Sequence, residues 1–214
     1  MELKDKIIAF LGDSITRGDC TTDMSCTYPE LLKKSLGLKE ALNYGISGTL
    51  IAPMSDNTIP GMIHRPFVNR VEAIDSNADV VVVFGGTNDF WVGDIPLGSI
   101  NDTTVDTFYG AYHTLLQKLI NRFYDKQIVV FTPLHRLDET VIKNGTEYTL
   151  REYVKAIKEV AEYYAIPVCD LYAISGIQPQ VEVIKEKFVP DGLHPNDDGH
   201  KIIAEKLKSF FNSL

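Results

Sequence analysis

Two patterns of apolar residues alternate along the chain. Continuous apolar runs predict buried strands over residues 7–11, 41–44, 79–86, 127–133 and 166–171. Between these runs, apolar residues recur every three or four positions, which predicts helices over 27–37, 66–74, 103–124, 149–164 and from 196 onward. Strands and helices therefore alternate five times along the sequence.

Capping and breaker residues set the boundaries of these elements. Two residue pairs have the spacing of capping boxes at the starts of helices. They are Thr27 with Glu30 and Thr149 with Glu152. Stretches that are polar or interrupted by Pro and Gly predict loops over 15–26, 49–65 and 134–148, and a turn over 87–91. The looser segment over 173–190 has room for one short helix.

The alternation predicts an α/β fold. Consecutive strands joined by helices form a parallel sheet with helices on both faces, reached by right-handed crossovers. We therefore expect a three-layer α/β/α sandwich with a five-stranded parallel sheet in flavodoxin-like order. The sequence shows neither a repeat nor a linker, so a single domain over residues 1–214 is expected. In such sheets a ligand lies at the carboxyl ends of the first and third strands, which precede Ser14 and Asn88.

Charge and composition narrow the class of protein. With 29 acidic and 21 basic residues the net charge is −8, which argues against a nucleic-acid or anionic-membrane partner. No apolar run reaches the ~18 residues that span a bilayer, and we expect no signal peptide. The three cysteines, Cys20, Cys26 and Cys169, form no CxxC pair and fit a reducing compartment. We expect a cytoplasmic protein that acts on a small molecule, with a homodimer as one expected assembly.

A serine follows the first predicted strand directly. Ser14 comes after Gly12 and Asp13, at the end of the strand where side chains meet ligands. A serine becomes a nucleophile when a base lies within hydrogen-bond reach and a third group holds the tautomer of that base. Of the five histidines, His194 is the one in a loop bounded by Gly and Pro, with the carboxylate of Asp191 three residues earlier. The alternative is that Asp191 caps a turn and His194 is an ordinary surface residue.

Acyl transfer also needs hydrogen-bond donors directed at the developing oxyanion. Gly48 can offer a backbone N–H because glycine lets the main chain approach a ligand closely. Asn88 can offer its side-chain amide, and the Ser14 N–H is a third candidate. Taken singly, Gly48 also fits an ordinary turn, and Asn88 also fits an Asx turn that leaves the strand.

Four segments together resemble a known family. They read Gly12-Asp13-Ser14, Asn43-Tyr44-Gly45-Ile46-Ser47-Gly48, Gly86-Thr87-Asn88-Asp89 and Asp191-Gly192-Leu193-His194-Pro195. In content and order they are similar to the four sequence blocks of the SGNH hydrolases, also called the GDSL esterase/lipase family. The resemblance extends from Gly12 to His194 and so covers nearly the whole chain.

This resemblance implies a site and a chemistry. Ser14 is then the nucleophile, His194 the base, and Asp191 the residue that orients the base. The oxyanion donors are then Ser14, Gly48 and Asn88. The resemblance also implies a flavodoxin-like fold and ester hydrolysis with neither a cofactor nor a metal.

The expected substrate is a short-acyl carboxylic ester, such as an acetyl ester of a sugar or another small molecule, cleaved through an acyl-enzyme. The sequence has no long apolar lid-like helix near the site, which argues against a long-chain lipase. The loops over 49–65 and 134–148 are expected to shape the pocket. The side chains expected to contact substrate are Asp13, Phe90, Trp91 and His135.

Several alternatives use the same residues differently. A lysophospholipase or thioesterase would cleave another acyl compound, whereas a non-catalytic carbohydrate-binding module would use the fold without the chemistry. A metal site would draw on Asp191, His194, Asp197, Asp198 and His200, although acidic residues at a helix start have a simpler explanation. The chain has no GxSxG elbow and no GxGxxG or GxxxxGK motif, which argues against an α/β-hydrolase and against nucleotide binding.

Overall fold

Five β-strands form the middle layer of the molecule. The computed structural model describes residues 2–54, 62–92, 95–142 and 147–214. The strands are β1 (Ile7–Gly12), β2 (Glu40–Gly45), β3 (Val80–Phe84), β4 (Gln127–Phe131) and β5 (Val168–Cys169). All pair in parallel, in the order β2-β1-β3-β4-β5, which confirms the predicted flavodoxin-like sheet.

Helices cover both faces of this sheet. Within the described ranges they are α1 (Ser14–Arg17), α2 (Tyr28–Leu36), α3 (Thr87–Val92), α4 (Phe108–Arg122), α5 (Leu150–Tyr163), α6 (Leu171–Ile174), α7 (Glu182–Phe188) and α8 (Asp197–Ser213). The helices α2 and α8 pack together on one face, and α4 and α5 pack on the other. The sheet is thereby enclosed in the predicted three-layer α/β/α sandwich.

The strand β3 shows how the sequence produces two helical layers. Val80 and Val82 pack in the cluster that includes α2 and α8, whereas Val81 and Val83 pack with α4 and α5. These four side chains are at most 1% exposed. Burying one such side chain contributes roughly 1.5–3 kcal/mol, so a run without a polar face is stable only between two layers.

Residues 66–74 do not form the helix that their spacing predicted. They form two 3₁₀ helices, Phe67–Asn69 and Val71–Ala73, while the predicted apolar side chains are still buried. Between the two, Arg70 has φ −105° and ψ −4°. Hydrogen bonds three residues apart, such as Arg70 N–H to the Phe67 carbonyl at 2.9 Å, replace the α-helical pattern, and Lys118 donates to the Val68 carbonyl at 2.8 Å.

One helix starts later than predicted, and a second starts as predicted but without the predicted side-chain cap. The helix α4 begins at Phe108 rather than near residue 103 because Thr107 caps it, its hydroxyl accepting the Gly110 N–H at 3.1 Å. At the start of α2, Thr27 makes no side-chain cap. Its hydroxyl donates to the Met24 carbonyl at 2.8 Å instead.

Short helices occupy segments that the sequence predicted as loops. Residues 15–26 include most of α1 and the 3₁₀ helix Met24–Cys26, and the predicted turn over 87–91 belongs to α3. The fifth strand has only two residues, and α6 and α7 follow it. Parts of the predicted loops over 49–65 and 134–148 lie outside the described residues. Among the helices of the described ranges, none is long and apolar enough to cross a membrane.

Candidate active site

Ser14 lies just beyond the carboxyl end of β1, as the first residue of α1. Asp13 caps this helix, its carboxylate accepting the Ile15 N–H at 3.0 Å. Gly12 is required for close approach rather than for a positive φ, since a Cβ there would lie 1.9 Å from Thr16 Oγ1. The helix α1 therefore packs closely against the end of β1. It holds Ser14 at the carboxyl end of that strand, where the residue is 5% exposed.

Hydrogen bonds link Ser14 to a histidine and a carboxylate from the far end of the chain. His194 Nε2 lies 2.9 Å from Ser14 Oγ, and His194 Nδ1 lies 2.7 Å from Asp191 Oδ2. A carboxylate on Nδ1 favours the tautomer with its proton there, which leaves the Nε2 lone pair for the serine. The structure thus brings together the three residues that the sequence predicted as a catalytic set.

The loop that precedes α8 fixes the carboxylate. Asp191 Oδ1 accepts the N–H groups of Leu193 and His194 at 2.9 and 2.7 Å, which leaves Oδ2 to face the imidazole. Asn196 then caps α8 by accepting the Gly199 N–H at 3.0 Å. The turn-capping role that the sequence offered as an alternative for Asp191 therefore coexists with its contact to the histidine ring.

The electrostatics of the site favour a charged histidine. Burial raises the pKa of Asp191, but hydrogen bonds from His194 and Leu193 outweigh it and hold that pKa well below its usual range. Burial lowers the pKa of His194, but the hydrogen bond and charge of Asp191, with the charges of Asp13 and Asp19, raise it above its usual value. The imidazolium that forms when the base takes a proton is therefore stabilised.

The other two predicted oxyanion donors lie on neighbouring segments. Gly48 follows β2 with a φ of +69°, in the left-handed region that favours glycine. Asn88, in the first turn of α3, donates from its side-chain amide to the Thr49 carbonyl at 2.9 Å. The amide carries a second N–H that can donate to a ligand. The oxyanion roles of Ser14, Gly48 and Asn88 stay predictions.

Asp89 connects these two segments, a role that the sequence did not suggest. Its carboxylate is 3% exposed and accepts the N–H groups of Ile51 and Ala52 at 3.0–3.1 Å. Burial raises the pKa of Asp89 to about 7, although these N–H groups lower it. The residue after Asn88 thereby fixes the segment that follows Gly48. The one signal in the sequence was its place in the third of the four blocks.

Arg70 ties the same segments to the strands. Its guanidinium donates to the carbonyl oxygens of Gly12 and Tyr44, at 3.0 and 2.9 Å, and to Thr49 Oγ1 at 3.2 Å. The side chain is largely buried, with the residue 6% exposed. One buried cation therefore links the ends of β1 and β2 to the residue after Gly48. The apolar spacing of residues 66–74 carried no signal for this role.

Three of the four predicted substrate contacts are close in sequence to predicted catalytic residues. Asp13 precedes Ser14, and Phe90 and Trp91 lie in α3 with Asn88. Asp13 is 2% exposed, and burial raises its pKa to about 6. Phe90 is 1% exposed and packs edge-on against Tyr153 in the core, so its ring has no surface to offer a substrate. Trp91 is partly buried, and the Arg136 guanidinium lies over its ring, 4.6 Å from the ring centroid.

The fourth predicted contact, His135, lies in different surroundings. Its ring stacks on Tyr172 with 3.8 Å between ring centres, and its Nδ1 lies 2.7 Å from a Glu139 carboxylate oxygen. Together with Arg151 it lines a cavity of about 660 Å³ whose walls include none of the predicted catalytic residues. The structure therefore does not bring His135 together with Ser14.

The residues of the alternative metal site do not converge either. His200 is fully buried, and its Nδ1 accepts the Tyr28 N–H at 3.0 Å. Burial lowers the pKa of His200 to about 4. In the part of the chain that the structure describes, the metal-ligating side chains that do lie together are Cys20, Asp191 and His194.

Sequence comparison assigns this arrangement to a family. A profile of the GDSL-like lipase/acylhydrolase family matches residues 10–202. The chain belongs to that family. The resemblance of the four segments to that family is thereby confirmed.

One curated relative and two solved structures are similar to this GDSL-family chain. The acetylxylan esterase of Xylanibacter ruminicola is 27% identical over 92% of this chain, which spans 41% of that protein. A protein from Lactobacillus plantarum is 31% identical, with a TM-score of 0.85 over 98% of both chains. A possible lipase from Chitinophaga pinensis is 25% identical, with a TM-score of 0.69 over 97% of this chain and 98% of that one.

Asn88→Ala is expected to lower kcat by about 10²–10³-fold because it removes one donor to the oxyanion. The pH at which the rate falls should stay nearly unchanged, since the Asn88 amide donates to the Thr49 carbonyl and no hydrogen bond among the described residues joins it to His194. Steady-state kinetics across pH check both expectations. Asn77→Ala is the matched control, because this exposed side-chain amide donates to Asp75 and lies outside the site. A shift in the pH at which the rate falls, without a loss of kcat, would contradict the oxyanion role.

Proposed function

We propose that this chain is a serine acylhydrolase that removes acetyl or similarly short acyl groups from a carbohydrate or another small molecule. The observation that carries the proposal is the hydrogen-bonded series from Ser14 Oγ through His194 to Asp191, at 2.9 and 2.7 Å. Nucleophile, base and orienting carboxylate stand in the order that acyl transfer requires.

The reaction would begin with attack of Ser14 Oγ on the ester carbonyl. His194 Nε2 takes the hydroxyl proton as the new C–O bond forms, and the imidazolium is stabilised by Asp191. The oxyanion accepts hydrogen bonds from the N–H groups of Ser14 and Gly48 and from the Asn88 amide. Collapse of the tetrahedral intermediate breaks the ester C–O bond, and His194 returns the proton to the leaving alcohol.

The second half of the reaction would repeat these steps with water. His194 removes a proton from water, and the hydroxyl oxygen attacks the acyl carbon of the acyl-enzyme. The same three donors stabilise the second oxyanion. Release of the carboxylic acid restores the Ser14 hydroxyl, and no cofactor takes part in this scheme.

Two observations support a short acyl group. An apolar cluster of Leu50, Met54 and Val92, with Met62 and Trp91 packed against it, adjoins the segments of both Gly48 and Asn88. Its three central side chains are at most 7% exposed, so within the described residues this cluster is closely packed and not open to solvent. The acetylxylan esterase relative supports acetyl as the acyl group and a sugar as the alcohol, although the chain spans 41% of it.

A panel of p-nitrophenyl esters from acetate to decanoate tests the acyl preference. We expect kcat/KM to be highest for acetate and at least about tenfold lower for octanoate, because each added methylene needs apolar space beside the oxyanion donors. Acetate release from acetylated xylo-oligosaccharides, measured in parallel, tests the carbohydrate. Ser14→Ala protein from the same purification shows how much activity comes from contaminating esterases.

Each alternative function gives its own result in this panel. A maximum at decanoate, or turnover of lysophospholipids above that of acetate esters, would replace the proposal with a long-chain acylhydrolase. Preference for an acyl thioester would make the chain a thioesterase. Binding of the oligosaccharides without turnover of any ester would favour the carbohydrate-binding module.

A further inference from the structure

A thiol lies beside the catalytic carboxylate. Cys20 follows α1, is exposed, and its Sγ lies 3.8 Å from Asp191 Oδ2. Cys20 Sγ, one oxygen of Asp191 and one ring nitrogen of His194 all lie within 4.8 Å of one another. The three side chains come from two segments that are 171 residues apart, so the fold and not the local sequence creates the group.

Thiolate, imidazole and carboxylate are the three side-chain ligand types of zinc. In a tetrahedral zinc site, bonds of about 2.0–2.3 Å place neighbouring ligand atoms about 3.3–3.6 Å apart. The thiol–carboxylate distance of 3.8 Å is already close to that value, and the carboxylate–imidazole distance of 2.7 Å needs only a modest widening. Three protein ligands would leave a fourth position for water, as in other open zinc sites.

The charge around these ligands also suits a divalent cation. Asp191 Oδ1 is held by two backbone N–H groups, so Oδ2 is the oxygen that faces both the thiol and the ring. Asp13 and Asp19 add two further carboxylates whose charges act on His194. The charge of Asp19 also acts on Cys20. The same negative field attracts a metal ion.

We propose that Cys20, Asp191 and His194 form an inhibitory site for zinc or a similar thiophilic divalent cation. The inhibitory consequence rests on the proposed catalytic roles of Asp191 and His194, whereas the binding itself does not. On coordination the thiol proton leaves to solvent. Coordination of His194 through Nδ1 moves the ring proton to Nε2. A ring that carries its proton on Nε2 cannot accept one from Ser14, so the nucleophile is no longer activated.

Inhibition of the purified protein by buffered free zinc is the first test. We expect wild-type activity on p-nitrophenyl acetate to fall with added zinc and to return with EDTA, while EDTA alone leaves the metal-free enzyme active. Cys20→Ser should keep the basal activity, because Cys20 takes no part in acyl transfer, and should need at least about tenfold more zinc for half-inhibition. Cys26→Ser is the matched control, since that partly exposed thiol lies in the same stretch of chain and should leave the zinc response unchanged.

Cobalt binding gives a second test that does not depend on activity. A thiolate bound to Co²⁺ absorbs in the near ultraviolet, so cobalt added to wild-type protein should produce this charge-transfer band. The band should be present in Ser14→Ala and absent in Cys20→Ser. Because Ser14→Ala is expected to have no esterase activity, the band separates failure of the metal site from failure of the proposed enzymatic function.

Three results would overturn the metal site. One is wild-type activity that does not respond to zinc, together with the absence of the cobalt band. Another is Cys20→Ser protein with the same zinc sensitivity and the same cobalt spectrum as wild type. Zinc sensitivity that moves with Cys26→Ser and not with Cys20→Ser would likewise place the metal at a different thiol and reject the proposed one.

Discussion

Replacing Ser14 with alanine is expected to lower kcat for ester hydrolysis by at least about 10⁴-fold. The change removes the oxygen that would attack the carbonyl and leaves the rest of the oxyanion site in place. His194 would then have no hydroxyl to deprotonate, and only direct attack by water would remain. Steady-state turnover of p-nitrophenyl acetate, with acetate release followed independently, measures the loss.

The folded structure should tolerate this substitution. The hydrogen bond of Ser14 Oγ is made to His194 Nε2, and alanine is smaller by a single oxygen atom, so no apolar core contact is lost. We expect the free energy of unfolding to change by no more than about 1.5 kcal/mol, the usual worth of one such hydrogen bond. Ser209→Ala, which alters an exposed hydroxyl on α8, is the matched control and should keep full activity. Ser14→Ala protein with more than a tenth of wild-type activity would exclude Ser14 as the nucleophile.

The sheet could be predicted from the sequence because its strands are buried on both faces. Runs such as Val80–Phe84 have no polar side chain, and only a central parallel strand accommodates them. The segment over 66–74 shows where this reasoning fails. Its apolar positions are buried as predicted, but two of its carbonyl groups accept hydrogen bonds from Lys118 and Arg122 of α4, and apolar spacing carries no information about such bonds.

The predicted catalytic residues could be found because each has a chemical role that limits its residue type. Asp89 and Arg70 could not be found in that way, because their partners are backbone groups of segments that only the fold brings near. Any buried acid or base can serve such a role, so spacing in the sequence does not reveal it. Phe90 shows the opposite error, since its place beside Asn88 suggested a ligand contact and the structure buries it.

Cys20 is a further residue whose proposed role could not be predicted from the sequence. In the sequence it belongs to a polar stretch with no CxxC partner, and its spacing from any histidine matches no metal motif. Only the return of the chain at residues 191–194 places Asp191 and His194 beside its thiol. A ligand set assembled from two distant segments is therefore visible in the structure and not in the sequence.

Replacing Asp191 with asparagine is expected to change the pH–rate profile in two ways. The plateau rate should fall by about 10⁴-fold, and the acid limb should move to lower pH. The base must be neutral to take the Ser14 proton, so the rate falls as pH drops through the pKa of His194. In wild type that pKa lies above its usual value, mainly because the hydrogen bond and charge of Asp191 outweigh burial. The amide lacks the charge, so the ring should titrate at lower pH in the variant. The amide can also donate to Nδ1 and favour the wrong tautomer, which lowers the plateau.

The loss of charge and the change of tautomer can be separated by a control variant. We would compare the pH profile of kcat/KM for Asp191→Asn with that for Asp19→Asn. Both variants remove one negative charge that acts on His194, but Asp191 alone touches the ring. Asp19→Asn should therefore shift the limb slightly toward acid and change the plateau by no more than about threefold, within the range of a remote charge. If Asp191→Asn kept its plateau, or if its limb moved toward alkaline pH, Asp191 would not be the residue that orients the base. A loss of plateau together with an acid shift is the combination that only a carboxylate bonded to Nδ1 produces.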